Sequence, residues 1–245
     1  MRVGLAALAL CVALAVPAGL HAQGRGGRGA GAAATGRTAA LKDLTGYWVS
    51  VVAEHWHLRM LVPPKGNFEM LPLNAEARRV ANTWDPVKES EPCKSYGAAA
   101  IMRVPTRLHV MWQDDNTLRI DTDAGTQTRL FHFGAFGAFG ATTATPSKPT
   151  WQGYSAALWD RPASLKVITT NMQAGYLRKN GVPYSENAVL TEYFDLAPLP
   201  NGGQALVVTA VVDDSRYLQQ PFIVSSQFKK EADASKWDPT PCFVK

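Results

Sequence analysis

The chain has 245 residues, of which 46% are hydrophobic and 18% charged, and its formal net charge is +5. Four of its 25 Lys and Arg residues lie within residues 1–40, which contain no Asp or Glu, so the rest of the chain carries 21 basic and 20 acidic side chains. This near balance excludes nucleic-acid binding driven by the overall charge of the folded part.

Residues 1–22 have the layout of a secretory signal peptide. Arg2 precedes an apolar run from Val3 to Val16, and a Pro-Ala-Gly break then leads to the small residue Ala22. The run is too short for a permanent membrane anchor. We expect cleavage after this region, export to the periplasm or the cell exterior, and no membrane-spanning segment in the mature chain.

Residues 23–40 consist almost entirely of Gly, Ala, Arg and Thr. With no aromatic or branched aliphatic side chain to bury, this segment is predicted to be a flexible linker. Its alternative is an Arg/Gly-rich tail that binds nucleic acid. The folded domain is therefore expected to span residues 41–245.

The folded part is dominated by alternation of β-branched or aromatic residues with polar ones, a pattern typical of β-strands. The intervals between the second, third and fourth strands are short enough for tight turns, so these three strands are predicted to form a meander. The eight predicted strands are Gly46–Met60, Arg107–Gln113, Thr117–Asp123, Thr126–Phe133, Ser164–Met172, Val189–Asp195, Ala205–Asp213 and Phe222–Lys230.

A single helix is predicted after Asn74, because Ala77, Val80, Ala81 and Trp84 share one helical face and Asn74 can cap it. Residues 134–163 are predicted to be a long loop between strands. Two interpretations of it are open, a flexible insertion and a mobile apolar lid formed by Phe136 and Phe139. We therefore expect a mainly β fold, an antiparallel eight-stranded barrel or a two-sheet sandwich, with one short helix.

Cys11 lies in the predicted signal peptide, which leaves Cys93 and Cys242 in the mature chain. In an oxidising compartment an even pair of cysteines indicates one disulfide. The bridge would close a loop of about 150 residues and tie the C-terminal tail to the first third of the domain. The alternative is a thiol nucleophile, for which only Lys94 provides a supporting neighbour.

The segment Leu44-Thr45-Gly46-Tyr47-Trp48 resembles the Gly-x-Trp motif of lipocalins, and Thr191-Glu192-Tyr193 is similar to their Thr-Asp-Tyr element. This resemblance implies an eight-stranded up-and-down barrel in which Trp48 points inward and plugs the closed end. It also implies that a bridge between Cys93 and Cys242 would pin the C-terminus to the barrel, as in lipocalins.

A second resemblance covers most of the mature chain. Residues 176–181 and the Pro221-Phe222 pair are similar to segments of a group of exported bacterial proteins. That similarity implies export and no particular chemistry.

His55 and His57 lie two residues apart on a predicted strand, so their rings would share a face, about 6.6 Å apart at the Cα atoms. Two such imidazoles suit a zinc site, with His109 or His132 as a third ligand. The alternative is that these are ordinary surface or half-buried histidines. Zinc is the only cofactor that the sequence suggests.

Asp121 and Asp123 are also two residues apart, with Arg129 on the returning strand. If these three side chains faced one cavity, a carboxylate beside a guanidinium could act as a general base. The alternative is that acids at a hairpin end are solvated.

A set of aromatic and charged residues is predicted to bind a ligand at the barrel rim or in its interior. Part of it lies in residues 175–187 around a Gly-Val-Pro turn. The alternative is that this segment is an ordinary charged loop and that the aromatic residues on strands belong to the core. The set consists of Trp56, Trp112, Phe131, Tyr176, Arg178, Lys179, Tyr184 and Glu192.

No nucleophile motif and no phosphate-binding Gly-rich loop occurs in the sequence. The sequence therefore favours an exported protein that binds a small apolar or aromatic molecule in a barrel pocket. The alternatives are a cofactor-independent lyase or isomerase, and an envelope protein that binds a partner and no ligand.

Overall fold

In the computed structural model, which describes residues 35–134, 148–160, 163–200 and 202–244, nine β-strands of the described part close into a barrel. The predicted signal peptide, residues 23–34 of the predicted linker, and the predicted lid with Phe136 and Phe139 lie outside the described residues. The strands are β1 (Gly46–Val51), β2 (Arg107–Asp114), β3 (Thr117–Thr122), β4 (Gln127–Phe133), β5 (Tyr154–Asp160), β6 (Ser164–Thr170), β7 (Gly175–Arg178), β8 (Val182–Tyr184), β9 (Val189–Pro198), β10 (Gln204–Asp213) and β11 (Phe222–Glu231).

The barrel order is β1-β11-β10-β9-β6-β5-β4-β3-β2, and β2 pairs with β1 to close it. Strands β7 and β8 form a separate antiparallel hairpin inserted between β6 and β9. The predicted mainly β barrel is confirmed, and so is the meander of β2, β3 and β4.

The prediction of eight antiparallel strands is wrong in number and in direction. A ninth strand, β5, lies within the predicted loop of residues 134–163 and pairs in parallel with β4, so the sheet is mixed. Ser155, Ala156 and Ala157 of β5 are buried one after another, so the strand has no alternating pattern, and it contains no β-branched residue. Sequence periodicity could not separate it from a loop.

The predicted first strand, Gly46–Met60, is longer than the observed strand β1. It ends at Val51, and a short helix α1 (Trp56–Arg59) follows, with His55 in a left-handed conformation at its N-cap (φ 51°). Alternation would have placed Trp56, Leu58 and Met60 on one buried face, but only Leu58 is buried. Trp56 and Met60 are 57% and 58% exposed.

The predicted helix is α2 (Ala75–Thr83), and Asn74 caps it by accepting a hydrogen bond from the Ala77 amide at 2.9 Å. Two further short helices were not predicted, the 3₁₀ helix η1 (Pro92–Tyr96) and α3 (Ala98–Ile101). None of the described helices is long and apolar enough to cross a bilayer.

Two hydrophobic cores stabilise the described part. The first lies inside the barrel and includes Trp48, Phe131, Phe194 and Phe228, all 1% exposed or less. The second lies where α2, α3 and the β7–β8 hairpin pack against the start of β9, the end of β10 and the start of β11. Trp48 is inward-facing, as expected, and its indole donates a hydrogen bond to the Leu44 carbonyl at 3.0 Å.

The predicted disulfide is confirmed: Cys93 in η1 and Cys242 near the C-terminus are joined, with Cα atoms 5.2 Å apart. The bridge attaches the C-terminal segment to the barrel end formed by the β3–β4 turn. There, the Thr240 amide also donates to the Asp123 carbonyl at 2.9 Å.

Candidate functional site

A pocket of about 500 Å³ opens beside the second core. Four segments and the single residues Met70 and Ser95 line it. The segments lie within residues 54–63 around α1, residues 100–105 at the end of α3, residues 177–179 at the end of β7, and residues 222–225 at the start of β11. Its volume lies within the range of pockets that hold small organic molecules.

The mouth of this pocket is unusually apolar. Four large hydrophobic side chains that line it are exposed to solvent: Met60 (58%), Leu61 (62%), Met70 (55%) and Ile223 (64%). Leu58, Val62, Val104 and Phe222 continue this surface inward. Each square ångström of apolar surface left in water costs about 25 cal/mol, so covering this mouth with an apolar ligand would be favourable.

Three arginines line the same pocket: Arg59, Arg103 and Arg178. Arg59 donates through Nε to the Arg103 carbonyl at 3.0 Å, and Arg178 donates through Nη2 to the Glu69 carbonyl at 2.9 Å. The guanidinium of Arg103 lies 5.0 Å from the centre of the Phe222 ring. Three cationic groups therefore line the pocket, and that of Arg103 lies against the apolar ring of Phe222.

Each of the three arginines also has a buried nitrogen that donates to no described group: Nη2 of Arg59, Nε of Arg103 and Nη1 of Arg178. Within the described residues, none of the three forms an ion pair with a carboxylate. A buried donor without an acceptor costs free energy, and a ligand oxygen can supply the missing acceptor.

The surroundings of the three arginines disfavour their charged forms. Burial, together with the positive charges of Arg178 and Arg59, lowers the pKa of Arg103 to about 9. Burial also lowers the pKa of Arg178 to about 10, against a raising effect of Glu69. Burial lowers the pKa of Arg59 as well, with Glu54 acting in the opposite direction. An added negative charge would reverse these effects.

Lys179 lies at the edge of the pocket and is already engaged. Its ammonium group donates to the Tyr96 hydroxyl at 2.7 Å and lies 4.5 Å from the centre of that ring. Among the described residues the acid that lines the pocket is Glu54, which is exposed. The cationic character of the pocket therefore depends on the three arginines.

The structure brings only two members of the predicted ligand-binding set, Arg178 and Lys179, to this pocket. Trp56 is exposed on α1 nearby, with its ring 5.9 Å from that of His57. Tyr176 donates its hydroxyl hydrogen to Glu89 at 2.6 Å, and Tyr184 is buried in the second core, where burial raises its pKa.

The remaining three members of the set belong to the barrel itself. Phe131 packs against Phe194 with ring centres 5.3 Å apart, and Trp112 packs against Phe133 at the same distance. Glu192 is fully buried and holds Arg129 through two hydrogen bonds of 2.9 and 2.6 Å.

The proposed catalytic group of Asp121, Asp123 and Arg129 does not converge. Arg129 pairs with Ile120 on the inward face, whereas Asp121 pairs with Thr128 on the outward face and contacts Arg119 at 2.9 Å. Asp123 lines a separate, open depression of about 570 Å³. Its Oδ1 accepts hydrogen bonds from the Thr106 hydroxyl and from the Arg107 and Ala124 amides, so it holds the strand ends together.

The two histidines of the proposed zinc site lie in and before α1 and not on a strand. His55 lines the pocket, and Nε2 of His57 is 3.5 Å from the Glu69 carboxylate. The rings of His109 and His132 stack elsewhere on Tyr47 and Tyr154. In the described part of the chain, no three His, Cys, Asp or Glu side chains are grouped to hold a metal ion.

No protein family, curated protein or solved structure matches the chain.

Sequence reasoning identified Arg178 but missed Arg59 and Arg103, which are decisive for the charge of the pocket. These three arginines are far apart in the chain and belong to no local motif, and α1 and α3 were not predicted. A weak signal existed in the run Met60-Leu61-Val62-Pro63, which is too apolar for an ordinary surface loop.

Proposed function

We propose that this protein is an exported binding protein for a small molecule with a largely apolar body, held in the pocket beside the second core. The apolar mouth supports the proposal most directly. Met60, Leu61, Met70 and Ile223 expose their side chains around a cavity that they share. A protein gains nothing in folding from such exposure, and apolar contact with a ligand offers a physical reason for it.

The position of the ligand in this proposal follows from packing. Phe131, Phe194 and Phe228 fill the barrel interior with buried rings, and the pair of Arg129 and Glu192 is buried there as well. The pocket instead lies among segments that the barrel strands support, where one wall is the start of β11. The binding site is therefore outside the inner face of the barrel.

The finer assignment of the fold to the lipocalin type is part of the same proposal. The buried Trp48 near the start of β1 supports it, with the Lys230 ammonium 4.6 Å from its ring, and so does the bridge that attaches the C-terminal segment. The Thr191-Glu192-Tyr193 element lies on β9, with Glu192 facing inward. Export is supported by the disulfide, since such bonds persist in oxidising compartments.

A bulky substitution in the pocket tests the proposal. Val62→Trp places an indole in the cavity, whereas Val87→Trp adds the same group at a site that is 88% exposed and does not line the pocket. Both variants and the unmodified protein are titrated with the neutral fluorescent probe N-phenyl-1-naphthylamine.

We expect saturable binding to the unmodified protein and to Val87→Trp, and at least about tenfold weaker binding to Val62→Trp, because filling the cavity removes most of the buried contact area. Equal affinity of all three proteins would show that the probe binds elsewhere and would contradict the proposal.

A further inference from the structure

The unpaired arginines of the pocket differ from every other arginine of similar burial in the described part. Arg107, Arg119 and Arg129 are half-buried or buried, and each contacts a carboxylate, at 3.0, 2.9 and 2.6 Å. The arginines without a carboxylate partner outside the pocket, Arg37 and Arg78, are exposed to water. Among the described residues, each desolvated guanidinium thus has a carboxylate partner except those that line the pocket, although Arg129 also keeps a buried Nε without an acceptor.

The geometry points to an oxyanion as the missing partner. Arg178 is only 8% exposed, lines the cavity and keeps Nη1 without an acceptor, while Arg59 and Arg103 each contribute another buried nitrogen without one. Guanidinium groups bind carboxylates, sulfonates and phosphates through paired, charge-assisted hydrogen bonds. Three such groups that line one cavity can together bind the oxygens of a single anionic group.

We propose that the ligand of this pocket is an amphipathic organic anion, whose oxyanion group is held by Arg59, Arg103 and Arg178 and whose apolar body covers Met60, Leu61, Met70 and Ile223. This inference rests on the proposed function and adds the chemical class of the ligand. A free inorganic anion would leave the apolar mouth uncovered, and a neutral apolar molecule would leave the guanidinium donors unpaired.

The lowered pKa values support the same conclusion. Desolvation and mutual repulsion both act against three positive charges in one pocket, and the exposed Glu54 and Glu69 compensate them only in part. A bound anion would stabilise the charged arginines, so occupancy should increase the stability of the folded protein.

Two fluorescent probes with the same aromatic frame test the inference. 8-Anilinonaphthalene-1-sulfonate carries a sulfonate that N-phenyl-1-naphthylamine lacks. The variant is Arg103→Met, because the Arg103 guanidinium makes no hydrogen bond to a described group and its loss should leave the fold intact. The matched control is Arg79→Met, which removes an exposed arginine of α2 that pairs with Glu76.

We expect the unmodified protein to bind the sulfonate at least about tenfold more tightly than the neutral probe, since a charge-assisted hydrogen bond contributes on the order of a tenfold gain or more. Arg103→Met should weaken sulfonate binding by about tenfold or more and change neutral-probe binding by less than about twofold. Arg79→Met should bind both probes as the unmodified protein does.

Three outcomes would overturn the inference in distinguishable ways. Equal binding of both probes, or equal losses of both in Arg103→Met, would leave the proposed function standing and refute the anionic class. Failure of both probes to bind the unmodified protein would refute the proposed function as well. In a displacement arm, decanoate should compete with the sulfonate probe, and equal competition by inorganic phosphate would indicate a site for a free anion only.

Discussion

At the scale of single residues, the contact with the largest desolvation cost is the buried ion pair of Arg129 and Glu192. Both side chains are 1% exposed or less, and Thr169 accepts a further hydrogen bond from Arg129 at 3.3 Å. Taking two charges out of water is costly, so the pair stabilises the barrel only while both members are present. The pocket arginines have no such partner among the described residues, which is the basis for the proposal that they bind an anionic group.

Removing one charge of the buried pair should therefore destabilise the protein strongly. We expect Glu192→Gln to lower the free energy of unfolding by about 3–5 kcal/mol, because it leaves the Arg129 cation buried without a counter-charge. Urea unfolding followed by circular dichroism measures the change, and the combined variant Arg129→Met with Glu192→Leu should recover most of it.

The matched control for that variant is Glu186→Gln, which removes an exposed partner of Arg216 and should change stability by less than about 1 kcal/mol. Equal effects of Glu192→Gln and Glu186→Gln would mean that the buried pair is solvated, contrary to its place in the fold.

At the scale of elements, the disulfide joins the 3₁₀ helix η1 to the C-terminal segment, which are otherwise linked by few contacts. The 3₁₀ helix η1 contributes Cys93 and the C-terminal segment contributes Cys242. The backbone of the C-terminal segment also makes three hydrogen bonds. The Thr240 amide donates to the Asp123 carbonyl, the Thr240 carbonyl accepts from the Thr126 hydroxyl, and the Phe243 amide donates to the Tyr96 hydroxyl. The bridge spans 149 residues, so its main effect is expected on the unfolded chain.

Reduction of the disulfide should lower the free energy of unfolding by about 2–5 kcal/mol. Urea unfolding with and without dithiothreitol measures this difference. The double variant Cys93→Ser, Cys242→Ser should match the reduced protein and should not respond to dithiothreitol. No change on reduction of the unmodified protein would show that the hydrogen bonds of the C-terminal segment are sufficient without the bridge.

Alternation identified the elements that have one buried and one exposed face. Strands β9, β10 and β11 follow this pattern, and they were predicted to within a few residues. Strand β5 was missed because three consecutive small residues are buried, and α1 was assigned to a strand because Trp56 and Met60 are exposed apolar side chains. The pocket exposes apolar side chains and buries charged ones, which is the reverse of the usual pattern, so its residues were the hardest to predict.

At the scale of the whole molecule, the barrel serves as the support and the segments outside it form the site. Within the described part, long segments between β1 and β2 supply α1, α3 and two of the three pocket arginines, while the β7–β8 hairpin supplies the third. Only the start of β11 contributes a wall from the barrel itself. Substitutions in a pocket built in this way need not disturb the barrel core, as is usual for loops carried on a rigid scaffold.

Mapping of ligand contacts by nuclear magnetic resonance tests this account most directly. The ¹⁵N-labelled protein is titrated with decanoate while backbone amide shifts are recorded. The account predicts saturable shifts concentrated at residues 58–62, 103–104, 177–179 and 222–225, with little change at Phe131 or Phe194 in the barrel interior. Shifts concentrated in the barrel interior, or the absence of saturable shifts at the four pocket segments, would contradict it.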